Sequence, residues 1–156
     1  MPQHEQERTP YPESLGRLIS CLYRYTQTYI GKELEHHGIG SGQFSFLAAL
    51  CHSEGMSQEE LANLFHVDKA TSARAIKKLV KEGYVIRKRD PVDKRKYRIL
   101  LTEKGSTMHP VLKKISTEWT ETLLSGFTQN EKECIMPLLE KMVDNAFERI
   151  ERRFHE

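Results

Sequence analysis

Lysine and arginine are concentrated between Val67 and Gly105. This segment holds 13 of them against 5 aspartates and glutamates, whereas the whole chain of 156 residues has a formal net charge of +2. The segment therefore has an excess of eight positive charges, and the other residues sum to −6. Such a segment is suited to neutralising phosphates, and each neutralised phosphate releases counterions. The charge distribution predicts a nucleic-acid-binding segment whose affinity falls steeply with salt.

Two short helix patterns and a turn are expected to position these charges. Ser57 is followed three residues later by Glu60, which is the spacing of a capping box at the start of a helix. Asp68 can cap a second helix, which is predicted to run from Lys69 to Glu82 and to end at Gly83. The helical spacing of apolar residues predicts that the inner positions of this second helix are Ala73, Ile76, Leu79 and Val80.

Past Gly83 the apolar pattern changes from helical to alternating. Tyr84–Ile86 and Tyr97–Leu101 are predicted to be two strands, and the proline and aspartates between them favour a turn. Two helices, a turn and a basic hairpin in this order indicate a winged helix-turn-helix. Ordinary helical hairpins also have leucine and alanine at these spacings, so the excess of positive charge is what favours a DNA-binding domain.

This segment resembles the MarR (multiple antibiotic resistance regulator) family of winged-helix transcription factors. The resemblance rests on the sequence KATSARAIKKLVKEGYV, on Asp93-x-Arg95 in the hairpin, and on Leu101-Thr102-Glu103-Lys104-Gly105 after it. These features occur together at the family's spacing, and the flanking helices extend the match to nearly the whole chain. The resemblance implies a regulator, usually a repressor. It also implies release from DNA when a small ligand, often phenolic or lipophilic, binds between the dimer helices and the winged domain.

The N-terminal part of the second helix is the part that enters a major groove in a helix-turn-helix protein. The side chains predicted to face the groove are Lys69, Thr71, Ser72 and Arg74. Arg74 is the expected base-contacting residue, because a guanidinium can bind both major-groove acceptors of guanine and the resemblance places a DNA-contacting arginine there. Lys77 and Lys78 are expected to contact phosphates.

The hairpin supplies a second set of candidate DNA contacts. The resemblance implies that Arg95 enters a minor groove, where narrow A·T stretches concentrate negative potential, and that Asp93 holds the wing. Further phosphate contacts are expected from Arg87, Arg89, Lys94 and Lys96. The alternative is that these charges only keep an exposed hairpin soluble.

The flanking segments predict a dimerisation domain. We expect a flexible arm over residues 1–12, dimerisation helices over 13–37 and 106–156, and a winged helix-turn-helix over 38–105. The fold class is therefore mainly α (α+β), with a two-stranded wing flanked by N- and C-terminal helices. Pro110 should kink or delay the helix that follows the wing, and Pro137 lies inside the last helix, where it would mark a kink.

The last helix starts with a second capping box, Thr128 to Glu131, and has an apolar stripe along roughly 40 Å at 1.5 Å per residue. This stripe is longer than a small winged domain can cover. A homodimer, in which two recognition helices contact two half-sites of a pseudo-palindromic DNA, accounts for it. A monomer in which the long helices pack on one another is the alternative.

A small aromatic effector is the expected ligand, and the residues that could line its site are Tyr25, Tyr29, His36, His37 and Phe44. Aromatic residues on a helical stripe are also typical of a core. Hydroperoxide-sensing relatives have a cysteine where this chain has Ile19, and zinc-sensing relatives have a histidine where it has Lys113. Redox and metal sensing therefore remain alternatives, and we predict neither a metal nor a cofactor.

Several other classes of protein are not supported by the sequence. No apolar run approaches the roughly 20 residues that span a membrane, and the first residues lack a signal-peptide pattern, so a cytoplasmic protein is expected. Three widely separated cysteines argue against a disulfide framework. The phosphate-loop, serine-hydrolase and metalloprotease motifs are absent, so we do not expect an enzyme. A non-specific, architectural DNA-binding protein is the main alternative to a regulator.

Overall fold

The structure, a computed structural model, describes residues 14–154, so the predicted flexible arm over residues 1–12 lies outside it. A short 3₁₀ turn, Glu35–His37, follows the first helix. The helices and strands in chain order are α1 (Leu15–Leu34), α2 (Ser41–His52), α3 (Gln58–Leu64), α4 (Lys69–Lys81), β1 (Val85–Arg89), β2 (Tyr97–Leu101), α5 (Glu103–Thr107), α6 (His109–Leu123) and α7 (Gln129–Phe154).

Three of the helices begin at the capping residues that the sequence predicts. The Ser57 hydroxyl accepts a hydrogen bond from the Glu60 N–H at 3.1 Å, and the Glu60 carboxylate accepts one from the Ser57 N–H at 2.7 Å. Asp68 accepts from the backbone of α4 at 2.6 Å. Thr128 and Glu131 form the second reciprocal pair, at 2.8 and 3.3 Å. Because these bonds satisfy N–H groups that a helix start leaves free, the local sequence determines where α3, α4 and α7 begin.

The inner face of α4 differs in part from the predicted one. Ile76 and Leu79 are fully buried as expected, but Ala73 is exposed and Val80 is 40% exposed. Their places in the core are taken by Ser72 and Ala75. Positions 72, 75, 76 and 79 form one i, i+3, i+4, i+7 stripe, and Ala73 and Val80 each lie one residue beyond it. The prediction for Ala73 and Val80 was therefore wrong because it selected apolar residues rather than one helical face.

The wing is an antiparallel hairpin in which Val85 pairs with Leu101, Arg87 with Ile99 and Arg89 with Tyr97. Its first strand begins at Val85 rather than at Tyr84 and extends to Arg89. Three consecutive exposed basic residues obscured this extension, because the hairpin projects beyond the core and has no apolar alternation there.

The other edge of β2 also has backbone partners. The Gly55 N–H donates to the Ile99 carbonyl at 2.9 Å, and the Ile99 N–H donates to the Met56 carbonyl at 3.0 Å. Two residues further along β2, the Leu101 N–H donates to the Glu54 carboxylate at 2.8 Å. The base of the wing is thus attached to the loop that precedes α3.

Pro110 lies at the start of a helix, directly after a break between two helices. α5 ends at Thr107 and α6 begins at His109, so the proline is the second residue of α6. At that position its missing N–H would have no intrahelical partner in any case. The prediction that Pro110 delays the regular part of the helix is confirmed. Pro137 lies inside α7, which continues past it.

The chain divides into two compact units, one ending at Ser116 and the other beginning at Thr117. The core of the first unit joins the end of α1 to α2, α3, α4, the wing base and the start of α6. In this unit, α1 also bears an exposed apolar stripe that includes Leu15, Leu18, Ile19, Leu22 and Tyr25. In the second unit, α7 bears another, which includes Met136, Leu139, Val143, Phe147 and Ile150. None of the helices in the described part of the chain has the length and apolar character needed to span a membrane.

Candidate nucleic-acid interface

The first turn of α4 presents its polar side chains in a hydrogen-bonded chain. The Thr71 N–H donates to the Asp68 carboxylate at 2.6 Å, and the Arg74 guanidinium donates to the Thr71 hydroxyl at 3.1 Å. Hydrogen bonds from Thr71, helped by the positive charge of Arg74, lower the pKa of Asp68. Arg74 and Lys69 are both exposed. The contact with Thr71 holds the guanidinium toward the N-terminal end of α4, which is the end that enters a major groove in this class of domain.

Ser72 does not face outward, so its predicted place in the groove-facing set was wrong. Its side chain is fully buried, and its hydroxyl donates to the Gln58 carbonyl at 2.7 Å. The residue belongs to the inner stripe of α4, and the core admits its hydroxyl because a backbone acceptor satisfies it. Ser72 therefore joins α4, the predicted recognition helix, to the first residue of α3 and is not available to contact DNA.

The two lysines that follow on α4 differ in their surroundings. Lys77 is exposed. Lys78 is half-buried, and its ammonium lies 3.1 Å from the Glu82 carboxylate, whose pKa is lowered mainly by that hydrogen bond. A phosphate would have to compete with Glu82 for Lys78, whereas Lys77 has no such neighbour among the ion pairs of the described residues. The geometry favours Lys77 as the stronger phosphate contact.

Asp90 organises the wing loop, although it was not among the residues predicted to contribute to the interface. One carboxylate oxygen accepts the N–H groups of Val92 and Asp93 at 2.8 and 3.0 Å, and the other accepts from the Arg98 guanidinium at 2.7 Å. The Arg98 hydrogen bond, followed by the two backbone bonds, lowers the pKa of Asp90 to about 2. An aspartate directly before a proline is typical of such a side-chain-closed turn, and this signal was available in the sequence.

The tip of the wing brings together the aspartate and arginine of the D-x-R motif. Asp93 accepts the Arg95 N–H at 3.1 Å, and the Arg95 guanidinium lies 3.5 Å from the same carboxylate oxygen. The Arg95 side chain is 94% exposed. Lys94 and Lys96 are exposed beside it. The aspartate thus fixes the backbone of the tip while the guanidinium extends into solvent, where a groove could receive it.

Arg87 and Arg89 share an aromatic neighbour that the sequence did not single out. Both guanidinium groups lie over the ring of Tyr97, at 4.8 and 5.7 Å from its centroid. The face of an aromatic ring attracts cations, so Tyr97 holds two like charges close together on one face of the hairpin. The cross-strand pairing of Arg89 with Tyr97 is the register that makes this contact possible.

The residues predicted to line an effector site differ in their exposure to solvent. Tyr29 and Phe44 are partly buried and pack against the core, whereas Tyr25 and His36 are exposed. The carbonyl of His37 accepts a hydrogen bond from the Tyr84 hydroxyl. In the part of the chain that the structure describes, no group of three or more His, Cys, Asp or Glu residues could hold a metal ion. The effector-site residues remain a prediction.

Comparison with known proteins gives the same fold and the same class of protein. The pattern of the MarR family matches residues 39–97. The chain is 35% identical to the HTH-type transcriptional regulator YybA of Bacillus subtilis over 129 residues, which cover 83% of this chain and 86% of YybA.

Solved structures of MarR family regulators have the same fold as this chain. A MarR transcriptional regulator from Methanosarcina mazei has a TM-score of 0.80 and 51% identity, and the match covers 85% of this chain and 96% of that one. A MarR family regulator from Listeria monocytogenes, crystallised with a 26mer DNA, has a TM-score of 0.81 and 28% identity, with coverage of 86% and 89%. The fold, the positions of the motifs and these relatives establish that the chain belongs to the MarR family of DNA-binding transcription regulators, which are not enzymes.

Proposed function

We propose that this regulator is a homodimeric repressor that binds a pseudo-palindromic operator and is released by a small aromatic effector. The observation that carries this proposal is the placement of two exposed guanidinium groups, Arg74 at the start of α4 and Arg95 at the tip of the wing. Each lies on an element that can enter a different groove of one duplex, so together they support sequence-dependent binding rather than contact with phosphates alone.

Arg74 is the proposed base-contacting residue in the major groove. Its guanidinium is exposed, and Thr71 restrains it without neutralising its charge. A guanidinium can donate two parallel hydrogen bonds to the O6 and N7 atoms of guanine, and such a pair discriminates against other bases by about 1–3 kcal/mol. Lys69 and Thr71 complete the proposed groove-facing set, and Lys77, with Lys78 in a lesser role, would contact the phosphates on either side.

The wing is the proposed minor-groove element. Arg95 would enter a narrow A·T-rich groove, where the negative potential is greatest, and Asp93 would keep the loop in the required conformation. The exposed side chains that would contact the flanking phosphates are Arg87, Arg89, Lys94 and Lys96. Because the Asp90–Arg98 hydrogen bond closes the loop within the wing itself, DNA binding would order few additional residues.

The exposed apolar stripes of α1 and α7 support the homodimer. The α1 stripe follows helical spacing through Leu15, Leu18, Leu22 and Tyr25, and the α7 stripe does so through Leu139, Val143 and Ile150. Monomeric proteins rarely expose continuous apolar patches of this kind. A second copy of the chain would bury both stripes. The twofold axis of the resulting dimer would present two copies of α4 to two half-sites.

A competition experiment tests sequence-specific binding against the architectural alternative. The wild-type protein should prefer its operator, selected from random duplexes, over unrelated DNA of equal length, and Arg74→Ala should lose about 5- to 150-fold of that preference. Lys113→Ala is a matched control, because it removes one exposed positive charge on α6 outside the proposed interface. Equal competition by unrelated DNA, together with an unchanged ratio for Arg74→Ala, would contradict the proposal and support an architectural protein.

The effector is tested by screening small phenols for a thermal shift of the protein and for release of operator DNA. Binding should raise the melting temperature and lower the affinity for the operator at the same concentration, since a ligand that releases DNA must bind the DNA-free conformation more tightly than the DNA-bound one. Substitution of Tyr25 or Phe44 by alanine should weaken both responses together. Release of DNA by a compound that produces no thermal shift would indicate that the compound binds the DNA and not the protein.

A further inference from the structure

The end of the first helix and the end of the recognition helix meet at one hydrogen bond between Tyr84 and His37. Tyr84 lies three residues after Lys81, the last residue of α4, and it is 2% exposed. Its hydroxyl donates to the carbonyl oxygen of His37 at 2.6 Å. His37 is the last residue of the 3₁₀ turn after α1. Residues 47 positions apart in the chain are thus joined directly where two helices end.

The backbone around Tyr84 is held on both sides, so its ring has a fixed position. The Tyr84 N–H donates to the Leu79 carbonyl at 2.9 Å, and the Tyr84 carbonyl accepts from the Thr102 N–H at 3.0 Å. The Thr102 hydroxyl donates to the Gly83 carbonyl at 2.6 Å. These bonds occupy the carbonyl groups at the end of α4, and they attach that end to the segment after the wing.

Lys104 holds the face of the ring. Its ammonium lies 4.3 Å from the ring centroid of Tyr84 and donates to the Glu82 carbonyl at 2.7 Å. Burial raises the pKa of the Tyr84 hydroxyl, which therefore stays protonated and able to donate. The LT-x-K-G segment thus supplies two residues, Thr102 and Lys104, that aim the phenol at His37.

Glu82, the residue directly after α4, reaches the same turn. Gly38 follows His37 with a φ of +70°, and a Cβ added there would lie 2.9 Å from a carboxylate oxygen of Glu82. The turn after α1 is therefore in close contact with Glu82 as well as with Tyr84. Such a short, doubly contacted turn leaves little freedom for α1 to rotate against α4.

We propose that Tyr84 is a positioning residue for operator binding, because its bond to His37 fixes the orientation of α4 relative to α1. This inference rests on the homodimer and the two half-sites of the proposed function. If α1 helps to join the two copies, the Tyr84–His37 bond sets the separation of the two recognition helices. A fixed separation lets the second half-site bind without a further loss of conformational freedom.

The test is Tyr84→Phe, which removes the hydroxyl and keeps the ring. Affinity is measured for two duplexes of equal length, one with the full operator selected by the wild-type protein and one with a single half-site. The variant should lose about tenfold in affinity for the full operator, the effect of one hydrogen bond, and should keep its half-site affinity. The variant should also tolerate a change of one base pair in the spacing between the half-sites better than the wild-type protein does.

Ile115→Val is the control for lost stability, because it trims one buried side chain on α6 that takes no part in this hydrogen bond. Its ratio of full-site to half-site affinity should equal that of the wild-type protein. An unchanged ratio in Tyr84→Phe, or an equal loss on both duplexes, would overturn the positioning role. If the wild-type protein itself binds both duplexes equally, the two-half-site function fails first, and this inference fails with it.

Discussion

Substituting alanine for Gly105 should destabilise the winged domain, because the glycine lies against the backbone of Tyr84. A Cβ at position 105 would lie 2.0 Å from the Tyr84 carbonyl oxygen and 3.2 Å from a methyl group of Leu101. Side-chain Cβ atoms essentially never approach another heavy atom more closely than 3.0 Å. The start of α5 and the end of α4 would therefore have to separate by about 1 Å, a movement of the kind that overpacked sites impose on their surroundings.

The size of the effect follows from what that separation disrupts. Overpacking of a dense site costs about 1–3 kcal/mol of unfolding free energy. Loss of the Thr102–Tyr84 backbone hydrogen bond adds about 1 kcal/mol. Alanine recovers up to about 1 kcal/mol through its higher helix propensity, so the net loss is about 1–3 kcal/mol. For a chain of this length, the midpoint of thermal unfolding should fall by about 2–12 °C.

The assay is thermal and urea-induced unfolding at one fixed protomer concentration, because the stability of a dimer depends on concentration. Gly42→Ala is the matched control, since a Cβ added at Gly42 meets nothing within 4 Å. The control should keep or slightly raise the midpoint, whereas Gly105→Ala should lower it. A Gly105→Ala protein as stable as the wild type would refute the inference that close contact with Tyr84 requires a glycine here.

Three further predictions concern the wing and the dimer. Because the folded-state pKa of Asp90 is lowered from 3.8 to about 2, its contribution to stability is full above about pH 5 and is lost as the pH falls through 3.8 toward 2. Unfolding of Asp90→Asn should therefore depend less on pH in this range than that of the wild type. Arg95→Ala should reduce the slope of log K against log salt concentration by about 1, measured by fluorescence anisotropy with operator DNA, because a guanidinium in the minor groove releases condensed counterions. An unchanged slope would contradict the entry of Arg95 into the groove. Leu22→Glu, which places a charge on the α1 stripe, should convert a dimer to a monomer in analytical ultracentrifugation, and a monomeric wild type at micromolar concentration would refute the two-half-site arrangement.

The parts of the fold that the sequence predicted are those determined by neighbouring residues. The capping residues Ser57, Asp68 and Thr128 act within three positions of themselves, so their spacing was sufficient to place three helix starts. The strand over Tyr97–Leu101 was visible because its apolar residues alternate. The excess of basic residues and the D-x-R motif indicated the proposed interface because they too are formed by residues close together in the chain.

What the sequence did not predict depends on residues that only the folded chain brings together. Ser72 faces Gln58 because the packing of α3 against α4 selects one face of the helix, and residue type alone favoured the neighbouring face. Asp90 meets Arg98 through the register of the hairpin, eight residues later in the chain. Tyr84 meets His37, 47 residues away in the chain, only through the tertiary packing of the segment after α4 against the turn after α1. None of these pairings has a local signature in the spacing of apolar residues.

The basic residues of β1 have a second consequence, which concerns the edge of the wing sheet. Within residues 14–154, β2 has backbone partners on both sides, whereas β1 hydrogen-bonds as a strand only to β2. An exposed strand edge can recruit strands of other molecules, and a run of like charges such as Arg87-Lys88-Arg89 discourages this by repulsion. Neutralising these side chains would weaken contact with phosphates and also remove a barrier to self-association. Light scattering of such variants therefore separates loss of DNA affinity from aggregation.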